Sequence, residues 1–230
     1  VYLQEGRLGY EEYAARGYEL WGLRTASAAR AEPLSTTLIH CVPVPHDGRD
    51  PRRWQQNDYV VTESYVLDGL EFNWDQTLDR DGDDRRHTHP FMAGFAHRVY
   101  QAQENRHAAT GILTARSEHQ LDDEPHFVYD TVYTNGRPWN TITERGQSVP
   151  QFAAVSTKAA LGMWVLWQSP YTDRLFAATA DLREPGRGFH EGLLENGKGP
   201  IRAFTANNNG VILEALLYKA QGKLLKWGPP

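Results

Sequence analysis

Apolar positions recur with a helical period in six stretches of the chain. Leu8, Tyr10, Tyr13, Ala14, Tyr18 and Trp21 mark one face of a helix over residues 8–22 that follows a short loop. Thr62 is placed to cap a second helix over residues 63–72, ESYVLDGLEF, which is apolar on two sides. A third opens at His89 or Pro90 and runs to about His107, with Phe91, Phe95, Val99 and Ala102 on its inner face. Phe152–Trp167 and Pro170–Leu182 read as two helices back to back, joined at Ser169-Pro170, where proline suits the first helical turn. The last helix is capped by Thr205, carries Val211, Leu213, Leu216, Leu217 and Ala220 at helical spacing, and stops at Gly222. Ile212 and Ala215 widen its apolar surface, so burial on most sides is expected.

The pattern changes over residues 111–145, where ILTARSEHQL, HFVYDTVY and WNTIT are β-branched or aromatic runs broken by turns. Asn135-Gly136 between two of them signals a hairpin. A shorter apolar run, Thr37 to Val44, reads as a strand in an otherwise irregular segment, and His46 to Pro51 reads as a turn. No βαβ alternation appears.

Helices near 63–72, 153–167 and 205–222 are apolar nearly all round, whereas those near 8–22, 90–107 and 170–182 keep a polar face. Inner helix paired with outer helix is the grammar of an α/α toroid. The expected fold is therefore mostly α, an incomplete toroid with a β-hairpin insertion and no internal domain boundary across residues 1–230. Three helix pairs make about half of a six-hairpin ring, and an open half-ring leaves apolar surface in water. A missing N-terminal part or a second chain is expected to complete it.

Composition narrows the function classes. A net charge of −5 argues against a general nucleic-acid binder, and no apolar run approaches the roughly 20 residues of a membrane span. Cys41, the single cysteine, leaves the redox compartment open. The chain opens at Val1 without methionine or signal peptide, which reads as a processed chain or an excised fragment. The acidic loop Asp79 to Asp84 fails as an EF-hand, with glycine at position four and proline at position twelve. The histidines lack metal-ligand spacing, so neither metal nor cofactor is expected. Nucleophile-elbow, Walker and dinucleotide fingerprints are also missing from the sequence.

Several stretches resemble the bacterial domain-of-unknown-function family 3131: LQEGRLGYEEYAARGYELWG, ESYVLDGLEF, FVYDTVYTNGRPWNTIT, STKAALGMWVLW and GFHEGLLENGKGPIRAFTANNNGVILEALLYKAQGKL. The resemblance implies a glucoamylase-like α/α six-hairpin barrel, a fold used mostly by glycoside hydrolases. It also implies a periplasmic or secreted protein that serves an exopolysaccharide system, with a polysaccharide or oligosaccharide as partner. It carries over no catalytic residues, because the family's activity is undefined.

Glycoside cleavage needs two carboxyl groups flanking the scissile bond. Glu5 and Glu191 each precede a glycine and a helix start, which in a toroid brings them to one mouth; the other reading is two loop carboxylates, solvated or paired with arginine such as Arg7. Glu63, at the start of an inner helix, and Asp130, on a strand, form a second tier. Capping charge explains Glu63 equally well, and Asp68 and Glu71 read as structural pairs. Tyr129, Tyr133, Trp139 and Trp164 are candidate sugar platforms, although tryptophans on a buried helix are usually core. Arg7 and His190 flank the two carboxylates and are assigned to substrate. Asn207, Asn208 and Asn209 crowd the first turn of the last helix, where they cost helix propensity and offer paired donors and acceptors to sugar hydroxyls or to the preceding loop. Two readings stand: a glycoside hydrolase-like enzyme, or a non-catalytic glycan-binding or scaffolding component.

Overall fold

The structure, a computed structural model, describes residues 8–23, 33–54, 57–75 and 92–225. Seven α-helices lie among them: α1 (Tyr10–Leu20), the short α2 (Pro51–Trp54), α3 (Thr62–Phe72), α4 (Met92–Thr110), α5 (Thr157–Leu166), α6 (Pro170–Thr179) and α7 (Ala206–Gln221). The strands are β1 (Leu34–Ile39), β2 (Val42–Asp47), β3 (Tyr59–Val60), β4 (His119–Gln120), β5 (Phe127–Asp130), β6 (Tyr133–Thr134), β7 (Arg137–Pro138), β8 (Thr141–Ile142), β9 (Ala154–Ser156), β10 (Arg183–Glu184), β11 (Gly188–Phe189), β12 (Gly192–Leu194) and β13 (Pro200–Ile201). The chain is a mixed fold of helices and small antiparallel sheets. Five such sheets, rather than one inserted hairpin, form among the described residues.

The core is built on α3 and α5. Every residue of α3 except Glu71 is buried, as is every residue of α5 except Trp164 and Leu166. The two helices approach closely because Gly162 has no side chain: a Cβ there would lie 2.3 Å from Val66 Cγ1. Around this pair, α4 and α1 pack on α3, α6 packs on α5, and α7 packs on both. A second apolar cluster gathers Leu8, Val44, Tyr65, Trp74, Phe95 and Val99 beneath the β1–β2 hairpin.

Local signals are realised where they are self-contained. Ser169 caps α6 through a reciprocal pair with Thr172, and Pro170 occupies its first turn. Thr205 accepts from the Asn208 amide at 3.0 Å, and Gly222, at φ 79°, ends α7. Asn135 and Gly136, at φ 49° and 83°, make the two-residue turn between β6 and β7.

Four expectations are corrected. The helix expected from Phe152 starts at Thr157, because Ala154–Ser156 pairs instead with Gly192–Leu194. Thr62 is not a cap: it lies inside the helix, and its hydroxyl accepts from Gln103 Nε2 at 3.0 Å. The run from Thr37 to Val44 is a hairpin, because His40 and Cys41 take left-handed φ of 45° and 65° and turn the chain. Finally, α7 buries only Asn208, Val211, Ile212 and Ala215. Its opposite face carries Leu213, 67% exposed, with Leu216 and Leu217, because α3 and α5 cover one side alone. The expected start of the third helix at 89–91 and the acidic loop at 79–84 lie outside the described residues. No helix among the described residues is long and apolar enough to cross a membrane.

Candidate functional site

Glu63 is the second residue of α3, Lys158 the second of α5 and Asn207 the second of α7. All three line one pocket of about 220 Å³, together with Glu118, His119, Gln120, Phe127, Tyr129, Glu191 and Thr205. Three helix N-termini therefore meet at this pocket, each contributing partial positive charge where carboxylates gather. The strand segment β4–β5 forms the facing wall and supplies His119, Gln120, Phe127 and Tyr129. Glu191 enters on the backbone between β11 and β12. Its carbonyl accepts from the Thr157 amide at 2.9 Å and its own amide donates to Ala203 at 3.1 Å. Gly192 permits the close approach, since a Cβ there would lie 2.5 Å from the Val155 carbonyl oxygen.

Lys158 is the hub of the electrostatics. Its ammonium pairs with Glu63 and donates to Asn207 Oδ1 at 2.6 Å, while Asn207 Nδ2 donates to the other Glu63 oxygen at 2.8 Å. Burial opposes the lysine's charge, but Glu118, Glu63 and Glu191 together outweigh it and hold the pKa above its usual value. Glu191 accepts from the Thr205 hydroxyl and, at 3.4 Å, from the Gln120 amide. Burial pushes its pKa up, against the pull of Thr205 and Lys158. Glu118 takes the Tyr10 hydroxyl from α1 and the Ser117 hydroxyl at 3.3 Å. Its pKa is also raised, by burial and then by repulsion from Glu63. His119 is buried with Nδ1 against the Ser117 carbonyl at 3.2 Å, and burial lowers its pKa, so the ring is neutral.

The sequence candidates separate. Glu63, Glu191, Tyr129 and Asn207 share the pocket. Glu5 and Arg7 lie outside the described residues. Asp130 is fully buried, pairs with Arg116 and accepts from Thr141 and the Ala154 amide, which makes it a structural anchor away from this pocket. Tyr133 faces a wider, open depression of about 970 Å³ with Asp50, Arg52, Asn135 and Arg145. Trp139 lies between His40 and Arg106, and Trp164 stacks on Phe176 at 4.1 Å beneath Lys219. His190 contacts the Arg202 carbonyl and Glu184. Asn208 and Asn209 bind the backbone of Phe189 and neighbouring residues, clamping the loop to the helix. Of the expected structural pairs, Asp68 faces Arg16 and Glu71 accepts from Tyr13 at 2.8 Å.

Sequence reasoning missed Glu118, His119, Gln120, Phe127 and Lys158, and took Thr205 only as a cap. Lys158 left a usable signal, because a lone cation in the first turn of an otherwise apolar helix must find carboxylates to be buried. Glu118 left none, since its place depends on how β4 pairs with β5. Among the described residues no cluster of three or more His, Cys, Asp or Glu side chains is arranged to hold a metal ion.

No curated protein and no solved structure matches the chain. Residues 1–222 match the family described as "Protein of unknown function (DUF3131)", and the chain belongs to that family.

Proposed function

We propose that the pocket is a glycan site and that the protein is a glycoside hydrolase-like enzyme acting on a bacterial envelope polysaccharide outside the cytoplasm. The observation that carries this reading is a pair of unlike carboxyl groups on one wall. Glu191 is buried with a raised pKa, and Glu63 is ion-paired to Lys158. A proton-holding acid and a charged partner are what glycosidic cleavage requires. Glu191 gives its proton to the leaving oxygen as the C–O bond breaks. Glu63 takes a proton from the water that adds to the anomeric carbon, or attacks that carbon itself. Tyr129 and Phe127 supply ring surface for a sugar.

In the same reading α3, α5 and α7 are inner helices of a glucoamylase-like α/α toroid, and α1, α4 and α6 are outer ones. The exposed leucines of α7 then mark the edge where a further part of the toroid, or a second chain, docks.

The test is incubation of the protein with a panel of bacterial polysaccharides, followed by product analysis. Glu191→Gln and Glu63→Gln are each expected to lower turnover by about 10²-fold or more while the fold persists. Wild-type turnover in both variants would overturn the assignment. A non-catalytic glycan-binding or scaffolding role is the second reading, favoured by one observation: the pocket is smaller than the roughly 300 Å³ at which ligand clefts usually begin. Binding without product would select it.

A further inference from the structure

Within the glycan reading, on which this inference rests, the wall of the pocket also constrains the charge of the sugar. Among the described residues that line it, three carboxyl groups, Glu63, Glu118 and Glu191, face a single cation, Lys158. Lys158 is committed to Glu63 and Asn207. Among the described residues, the hydrogen bonds to Glu118 and Glu191 come from neutral donors, the hydroxyls of Tyr10, Ser117 and Thr205 and the Gln120 amide. Burial lowers the His119 pKa and so disfavours a positive charge there, and the Nδ1 contact with the Ser117 carbonyl leaves Nε2 as the acceptor. Its Nε2 is buried without a hydrogen-bond partner. A buried acceptor without a donor calls for a partner that supplies N–H or O–H. The described lining of the pocket is thus rich in acceptors and holds one cation for three carboxyl groups.

We infer that this pocket selects a sugar bearing a free ammonium group, such as a de-N-acetylated hexosamine unit, over neutral and acidic sugars. An ammonium beside Glu118 would bring a charge-assisted hydrogen bond to a carboxyl that has only neutral donors among the described residues, and it leaves Glu191 its proton for the leaving oxygen. A uronate or a phosphorylated sugar would set a further anion beside Glu63 and Glu118, where like charges repel strongly at low dielectric. An N-acetyl group would bring neither the charge nor the additional donors.

The experiment is calorimetric titration of the protein with four tetrasaccharides: β-1,4-linked glucosamine, its N-acetylated form, a neutral glucan and a galacturonan. It is run at about pH 6, where such amines carry their proton. The glucosamine tetramer is expected to bind about tenfold more tightly than the N-acetylated and neutral oligomers, with no detectable binding of the galacturonan. Because the chain carries a net charge of −5, any polycation gains some non-specific attraction. Glu118→Gln addresses this: it should remove about tenfold of the glucosamine affinity, whereas Asp181→Asn, at an exposed site, should leave it within about twofold. Melting curves identify any variant that fails to fold, and the wild-type ranking remains decisive if one does. Tighter binding of a neutral or acidic oligomer overturns the ammonium inference and leaves the glycan reading standing, as does equal loss in Asp181→Asn. Binding of none of the four overturns both.

Discussion

Lys158 is the only charged side chain in α5, and it is buried. A buried ammonium is tolerated because carboxylates surround it, so the site's central cation is also a condition of the helix's burial. Glu12 presents the opposite case. It is buried in α1, accepts from the Gly9 amide at 2.6 Å, and burial pushes its pKa from 4.5 up to about 7. A carboxyl with a higher pKa folded than unfolded holds its proton more tightly in the fold. Its contribution is fully present below about pH 4.5 and is lost as pH rises through 7, by up to about 3 kcal/mol. Glu12→Gln keeps an acceptor for Gly9 without the ionisation. Thermal melts of variant and wild type should coincide near pH 5 and separate in the variant's favour near pH 8. Parallel curves across that range would show that Glu12 does not titrate as described.

At the scale of elements, the first turn of α7 divides its three asparagines between two tasks. Asn208 is fully buried and donates to the Phe189 and His190 carbonyls, at 3.2 and 3.1 Å. Asn208→Ala orphans the His190 carbonyl, whereas the Phe189 carbonyl keeps the Asn209 amide, and should cost about 2 kcal/mol, on the order of 4–8 °C in Tm for a chain of this size. Asn207 is exposed at the pocket and binds side chains only. Asn207→Ala should therefore weaken ligand binding while moving Tm by less than about 2 °C; the reverse ranking in calorimetry would exchange the roles.

What could be read from the sequence follows the same division. Thr205, Gly222, Ser169-Pro170 and Asn135-Gly136 act within a few residues of themselves, so their elements were legible in advance. The apolar run at 152–167 concealed three residues of strand, because Ala154–Ser156 is claimed by Gly192–Leu194, nearly forty residues away. Half of the site was hidden for that reason. Glu63, Glu191, Tyr129 and Asn207 lie at helix starts, in a glycine-flanked loop or on an aromatic run, but Glu118 is completed by Tyr10, 108 residues earlier.

At the scale of the whole molecule, the outer face of α7 sets apolar side chains in water. Leu213, Leu216 and Leu217 are 67%, 40% and 47% exposed and lie on one side of the helix. Leu213 and Leu217 lie on the exposed face, so replacing both by Glu should change stability by no more than about 0.5 kcal/mol per site, read from Tm. Binding of a hydrophobic fluorescent dye should fall markedly in the same variant. A large loss of Tm would mean that this face is covered after all.

The buried charges around Arg116 act on topology rather than on chemistry. Arg116 joins Asp130 to Glu195, and Arg106 of α4 grips Glu195 at 2.7 Å, so four charges from distant segments neutralise one another inside the fold. Side chains alternate faces along a strand, so a slip of β5 by one residue would point Asp130 outward and bring Tyr129 or Thr131 to Arg116. Arg116 would then keep only Glu195, and Asp130 would lose its cation, its threonine and the Ala154 amide at once. The network thus acts as a combination lock on strand alignment. The observed register of β5 against Arg106 of α4, Arg116 and Glu195 lets all four charges cancel, and the one-residue slip carries stranded charge.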